Sequence, residues 1–139
     1  MAGGKSDFFE EQIMQYFLGD SIEFPKYDYL YLALSKDLIY DDDTGSTLQE
    51  PEVTGGYQRI QIPTTSEYWV KRVNGERRNS VPIVFPRAVR DWGVIFSYAF
   101  CTEQVGGQVI WHGIVLPSRY VEIDDIVRFD VEDLIIRED

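Results

Sequence analysis

Apolar and aromatic residues in the segment 79–116 fall into three short runs that glycine and proline interrupt. The runs are residues 81–86, 92–100 and 106–116, and the third opens with Gly106 and Gly107. Short runs rich in Val, Ile, Phe, Tyr and Trp are typical of strands that are buried on at least one face. Paired glycines supply the positive φ that a tight return requires. The segment therefore predicts a β-meander at the centre of the molecule.

The N-terminal segment carries apolar residues at helical spacing instead. Ser6 is a candidate N-cap, and acidic residues follow it in the first turn, where the helix dipole favours negative charge. One predicted face carries four apolar residues, Phe9, Ile13, Tyr16 and Phe17. Three others point away from it: Phe8, Met14 and Leu18. Either the helix closes one end of the domain, or these three residues bind another subunit.

The remaining apolar segments indicate further strands. Residues 57–63, 67–73 and 120–136 carry alternating apolar and polar positions. Residues 27–34 have period two with both faces apolar or aromatic, which predicts a strand covered on both sides. Asn74 and Gly75 form a strong hairpin signal. About eight strands result, which predicts a mainly β fold: an antiparallel, jelly-roll-like β-sandwich with one N-terminal amphipathic helix. Residues 1–26 are expected to form an arm that is mobile or ordered by a partner, the helix and a linker, and residues 27–139 the sandwich domain.

Composition limits the classes of partner. The chain has 24 acidic and 13 basic residues among 139, which gives a formal net charge of −11. So acidic a surface disfavours binding to nucleic acid or to anionic membranes. No apolar run approaches the length of a membrane span, and no signal-peptide pattern is present. Cys101 is the single cysteine, and its apolar neighbours predict a buried, inert thiol.

Six of the 13 basic residues lie within residues 71–90. Five of them are candidate partner-binding residues: Arg72, Arg77, Arg78, Arg87 and Arg90. One interpretation is neutralisation by carboxylates of the same chain, which stabilises exposed sites only slightly. The other is a docking surface for an acidic partner, where charge complementarity sets register and association rate.

No combination of residues predicts an active site. Residues 41–43 are three consecutive aspartates, but their spacing does not match a calcium loop, which favours a solvated acidic loop. His112, the single histidine, has no nucleophile motif around it, and one His with one Cys cannot form a structural zinc site. We therefore expect no catalytic residues, no metal, no cofactor and no enzymatic activity.

Five segments in order resemble a family of small tailed-phage virion proteins, which are described as tail-fibre or minor tail proteins. They are the helix at residues 8–19, the strand at 30–34, a Gly-Gly-Tyr-Gln-Arg signature at 55–59, the Asn79 to Gly113 segment with its Trp92-Gly93 step, and a closing hairpin at 125–136. Members resemble jelly-roll capsid decoration proteins. The resemblance implies a virion structural protein on an antiparallel β-sandwich, assembled in the host cytoplasm, and it carries over no catalytic residue.

Three functions are compatible with these observations. The first is a capsid cement or decoration protein that binds the phage major capsid protein and stabilises the shell. The second is a tail or fibre-attachment component that binds tail proteins. The third is a carbohydrate-binding module, because β-sandwiches often carry exposed Trp and Tyr and the chain has three Trp and nine Tyr. For a virion protein we also expect a homo-oligomer, either a trimer or a dimer.

Overall fold

The computed structural model describes residues 3–19 and 26–138 of the chain. Within them the protein is mainly β, with ten strands in antiparallel sheets and one α-helix, which confirms the predicted fold class. Met1 and Ala2 of the expected arm, and residues 20–25 of the expected linker, lie outside the described residues. No helix in the described part of the chain is long and apolar enough to cross a membrane.

The largest sheet has five strands in the spatial order β1, β8, β7, β2, β3. Their bounds are β1 Gly3–Lys5, β2 Tyr29–Ser35, β3 Ile60–Pro63, β7 Gly93–Cys101 and β8 Val109–Val121. A three-stranded sheet has the order β10, β5, β4, with β4 Trp69–Lys71, β5 Glu76–Asn79 and β10 Ile135–Arg137. A two-stranded ribbon pairs β6 Ile83–Val84 with β9 Arg128–Phe129. The helix α1 is Asp7–Phe17, and a 3-10 turn spans Val53–Gly55.

The helix begins where the sequence predicted. The Ser6 hydroxyl accepts a hydrogen bond from the Phe9 backbone N–H at 3.1 Å, which satisfies one of the free donors of the first turn. The same hydroxyl donates to the Val109 carbonyl oxygen, so the cap also attaches the helix to β8. Phe9 is buried and its ring packs edge-on against Trp111 at 5.0 Å between centroids. The helix is therefore packed against the five-stranded sheet.

The expectation of an arm that is mobile or ordered by a partner is wrong for residues 3–5. They form β1 and pair antiparallel with β8, with Gly4 opposite His112 and Lys5 opposite Trp111. Lys5 also forms an ion pair with Glu138 near the end of the chain. No local pattern predicts this strand, because glycines have low β-propensity and the pairing depends on the register with β8.

Both faces of the five-stranded sheet are covered. On one face, aromatic residues from all three sheets meet: Trp69 packs edge-on against Phe100 at 5.5 Å, and Tyr98 against Phe129 at 6.1 Å. On the other face a smaller cluster of buried residues contains Ala33, Ile39, Ala99, Cys101 and Val109. Strand β2 contributes to both clusters, as its two apolar faces predicted.

Strand number and bounds differ from the prediction of about eight. Strands β1 and β5 lie outside the runs that the sequence predicted as strands, whereas β6 and β9, of two residues each, fall within the predicted runs 81–86 and 120–136. The expected strand at 57–63 begins only at Ile60, and the buried side chains of Tyr57 and Arg59 lie in the segment that precedes it. Asn74 and Gly75 do form the predicted hairpin between β4 and β5, with Gly75 at φ +76°.

Candidate partner-binding surface

The Gly-Gly-Tyr-Gln-Arg signature contributes a buried arginine that joins three loops. The side chain of Arg59 is only 2% exposed and forms a two-point ion pair with Glu50, at 2.8 Å from Nε to Oε1 and 2.9 Å from Nη2 to Oε2. The same guanidinium donates to the carbonyl oxygens of Gly45 at 3.0 Å, Glu103 at 2.7 Å and Gly106 at 2.8 Å. Arg59 therefore fastens the acidic loop to the β7–β8 hairpin loop.

Tyr57 and the glycines of the signature extend this network. The Tyr57 hydroxyl donates to Glu50 Oε1 at 2.6 Å and accepts from the Leu34 N–H at 3.0 Å. Burial, reinforced by the Glu50 carboxylate, raises the pKa of Tyr57 well above its usual value, so the hydroxyl remains a donor. The Gly55 carbonyl oxygen accepts from the Trp92 indole N–H at 2.8 Å. The signature and the Trp92-Gly93 step thus meet in the interior.

Asn79 has an equivalent structural role at the other end of the molecule. It is fully buried, and its Nδ2 donates to the carbonyl oxygens of Val81 at 2.8 Å and Asp130 at 2.9 Å. Its Oδ1 accepts from the Leu134 N–H at 2.9 Å. One side chain therefore connects β5, the segment before β6 and the C-terminal segment.

Gly113 makes space for an aromatic ring. A Cβ atom at this position would lie 2.5 Å from Cζ and Oη of Tyr98, which is closer than real Cβ contacts. Tyr98 is buried and donates to the Ile135 carbonyl oxygen at 3.3 Å. The motif residues of the chain are therefore used for folding, and partner recognition must come from surface residues.

The helix residues predicted to bind a partner have different environments. Met14 is 52% exposed and Leu18 is 72% exposed, so both are open to a partner. Phe8 is half-buried and packs against the core of the chain itself. Phe17 was expected on the core-facing side with Phe9, and that expectation is wrong, since Phe17 is 67% exposed. Met14, Phe17 and Leu18 are spaced i, i+3 and i+4, so they form one apolar stripe at the end of the helix, which we call the helix stripe.

The structure divides the predicted basic cluster into two groups. Arg72, Arg77 and Arg78 lie in or next to the strands of the three-stranded sheet, whereas Arg87 and Arg90 lie on the loop between β6 and β7, beside the Gly55-Gly56 turn. Arg72 forms an ion pair with Glu132, and Arg78 Nε lies 3.0 Å from Glu76 Oε2. These two arginines thus neutralise carboxylates of the same chain. The docking role of the five arginines stays a prediction.

Glu76 is the acidic centre of the three-stranded sheet. It is buried, and its two carboxylate oxygens accept from Arg78 Nε at 3.0 Å and Arg137 Nε at 3.1 Å. These hydrogen bonds hold the pKa of Glu76 below its usual value. The carboxylate therefore fastens β10 to β5 in its charged form.

The acidic loop uses its carboxylates for local hydrogen bonds. Asp43 accepts from the Tyr40 N–H at 2.8 Å and from the Thr47 hydroxyl at 2.7 Å. Asp41 Oδ1 lies 2.9 Å from Nε2 of His112, which is buried. Within residues 3–19 and 26–138, no three His, Cys, Asp or Glu side chains are arranged to hold a metal ion.

Cys101 is buried, as its neighbours predicted, and burial raises the pKa of its thiol to about 12. The thiol is therefore protonated at neutral pH, and a protonated thiol is a poor nucleophile.

Sequence reasoning missed several exposed apolar residues besides Phe17. Leu116 and Val105 are each 83% exposed, the first in the middle of β8 and the second in the β7–β8 hairpin loop. Between the pairs Ile95–Arg119 and Ser97–Ile114 the register shifts, so residues 115–118 bulge out of the sheet. Pro117 within this run was the available signal, because proline in a strand marks an edge or a bulge.

Comparison with known proteins identifies one family. A family model described as "Podophage GP4 fiber I protein gp80" matches residues 4–137, which is nearly the whole chain. A comparison with curated proteins finds no match. The match agrees with the virion protein that the ordered motifs indicated, and it identifies a fibre-related protein. The chain therefore belongs to the podophage GP4 fiber I protein gp80 family, and it is a phage virion structural protein related to tail fibres.

Proposed function

We propose that this protein is a tail or fibre-attachment component of a phage virion and that its role is structural, without catalysis. The observation that carries the proposal is the match of residues 4–137 to a fibre protein family. No observation on the described residues favours the capsid decoration function that the sequence first suggested. The tail function is therefore the better supported of the two virion functions.

The long-range polar contacts of the fold support a role in connecting other virion proteins. Arg59, Asn79 and Glu76 each join segments that are distant in sequence, so the domain is held together by charged and polar contacts as well as by its apolar core. Satisfied polar networks of this kind rigidify a domain, which suits a component that joins two parts of a virion.

The helix stripe is the surface that we assign to the tail partner. Met14, Phe17 and Leu18 are exposed and lie within one turn of each other, whereas the other side of the same helix is packed on β8 through Phe9. Exposed apolar side chains that cluster on a helix are typical of helix-in-groove recognition. We therefore expect a tail protein to cover this stripe, with Arg87 and Arg90 contributing charge complementarity at a second contact.

The location of the protein in the virion and its contact with a tail protein are tested by separate experiments. Electron microscopy of virions with a labelled copy of this chain should place the label on the tail, with a handful of copies per particle. Hundreds of copies distributed over the shell would overturn the tail assignment and restore capsid decoration.

The contact is tested with the variant Phe17→Ser plus Leu18→Ser. Because both side chains are exposed, the variant should fold normally but fail to enter virions. Val105→Ser is the matched control, since it removes an equally exposed apolar side chain elsewhere and should leave incorporation unchanged. Normal incorporation of the helix variant would contradict the assignment of the helix stripe.

A further inference from the structure

A groove of about 370 Å³ lies beside the helix, on the side away from the stripe. Its walls are mainly apolar and aromatic and come from the helix, β2, β4 and β8: Phe9, Tyr27, Leu30, Trp69, Ile110 and Trp111. The volume falls within the range of small binding sites, about 300–1,000 Å³. The groove is therefore large enough for one or two large side chains of a bound peptide.

The polar residues of the groove define the charge of its ligand. Lys26 and Arg77 line it together with the hydroxyl residues Thr64, Thr65 and Ser66. Among the described residues that line it there is no aspartate or glutamate, although the chain carries 24 acidic residues. On a protein with net charge −11, a groove lined by two cations and no anion is complementary to a carboxylate.

One buried donor in the groove wall has no acceptor. The indole Nε1 of Trp111 is buried and has no hydrogen-bond partner among the described residues. By contrast, the Trp69 indole donates to the Pro63 carbonyl oxygen at 3.0 Å. Buried N–H groups are nearly always paired, so this unpaired donor would gain an acceptor from a ligand once the groove wall shifts enough to expose it. A backbone carbonyl oxygen of a bound peptide provides such an acceptor.

We propose that this groove binds a short peptide segment of another protein, in which a large apolar residue lies next to acidic residues. The apolar residue would occupy the aromatic walls, and a neighbouring carboxylate would pair with Arg77 or Lys26. A sugar fits less well, because sugar hydroxyls need carboxylate and amide side chains, and the described residues of the lining include neither. The sequence predicted Arg77 as a partner-binding residue, and this proposal assigns it to the groove, where it would pair with a carboxylate of the peptide.

The proposal is tested with the purified full chain and three sets of seven-residue peptides. The first set has a central Phe, Leu, Trp or Tyr flanked by Asp and Glu, the second has the same centres flanked by Lys, and the third has a central Ser flanked by Asp and Glu. Fluorescence anisotropy should detect binding of the first set only, and higher salt should weaken it. Equal binding of all three sets, or no binding of the first, would overturn the proposal.

Two variants locate the binding. Arg77→Glu, an exposed substitution, should weaken the first set by about tenfold or more, as expected for loss and reversal of a charge pair. Arg119→Glu makes the same charge change at an exposed residue outside the groove and should alter affinity by less than about twofold. Equal losses in the two variants would mean nonspecific charge attraction and would contradict the groove.

A spectroscopic readout keeps the test independent of substitutions. The chain has three tryptophans, so its indole N–H groups give three resolvable NMR signals. Addition of a first-set peptide should shift the Trp111 signal, whereas the Trp92 signal should stay, since that N–H is bonded to Gly55 in the interior. An unmoved Trp111 signal at saturating peptide would overturn the proposal, and neither outcome depends on whether the virion partner is tail or capsid.

Discussion

Replacement of Arg59 by methionine should strongly destabilise the fold. The substitution keeps an unbranched apolar side chain but removes five hydrogen bonds, two to Glu50 and three to carbonyl oxygens of Gly45, Glu103 and Gly106. The Glu50 side chain is only 20% exposed, so its carboxylate would lose its cationic partner in a site that water reaches poorly and would keep only the hydrogen bond from the Tyr57 hydroxyl. Removing one member of a buried ion pair typically costs about 3–5 kcal/mol.

The loss of unfolding free energy determines how far the melting temperature of the variant falls. Domains of this kind have unfolding free energies of about 5–15 kcal/mol, so the variant would lose a large share of its stability. With an unfolding entropy of about 2.1 cal/mol/K per residue, a 139-residue chain should melt about 10–17 °C lower. The Gly45 carbonyl group is buried, whereas those of Glu103 and Gly106 lie in the hairpin loop, where water can replace part of the lost bonding. The estimate includes only the ion pair.

Differential scanning calorimetry of the wild type and two variants provides the assay. Arg72→Met is the matched control, because it removes an arginine from an exposed ion pair with Glu132 and should change the melting temperature only slightly. A double variant with Arg59→Met and Glu50→Met should recover part of the loss, since no charge then remains unpaired. If Arg59→Met melts within a few degrees of Arg72→Met, the proposed role of the buried arginine is refuted.

Three further predictions concern other interior residues. Asn79→Leu should lower the unfolding free energy by about 1–3 kcal/mol in urea titrations, because the buried Leu134 N–H loses its acceptor. Gly113→Ala should lower it by about 1–3 kcal/mol through overlap with Tyr98, and an unchanged midpoint would contradict the close contact. Glu76 has a lowered pKa in the folded state, so its contribution is present above its unfolded pKa and is lost as pH falls through the folded value. Melting temperatures of the wild type and Glu76→Gln should therefore differ at pH 7 and converge in acid.

The sequence by itself determined those features that depend on neighbouring residues. The helix and its Ser6 cap, the hairpin at Asn74 and Gly75, and the two-sided burial of β2 all follow from spacing within a few positions of the chain. The burial of Cys101 followed from its apolar neighbours for the same reason. The ordered motifs also indicated the virion family that the comparison then showed.

The tertiary structure alone decided how distant segments meet. Arg59 contacts Gly106, which lies 47 positions away, and Asn79 contacts Asp130, which lies 51 positions away. Nothing near these residues in the sequence shows that they are buried, because a charged or amide side chain is normally exposed unless distant partners satisfy it.

The candidate surfaces depend on the same long-range packing. Helical periodicity predicted that Phe17 shares a buried face with Phe9. The position of the helix on β8 decides how far along the helix the core extends, and Phe17 lies beyond the end of that core. Likewise, sequence grouped the arginines of residues 71–90 by proximity in the chain, whereas the fold assigns them to a sheet and a separate loop. Local pattern determines secondary structure, but which faces remain exposed is set by contacts whose partners are far apart in sequence.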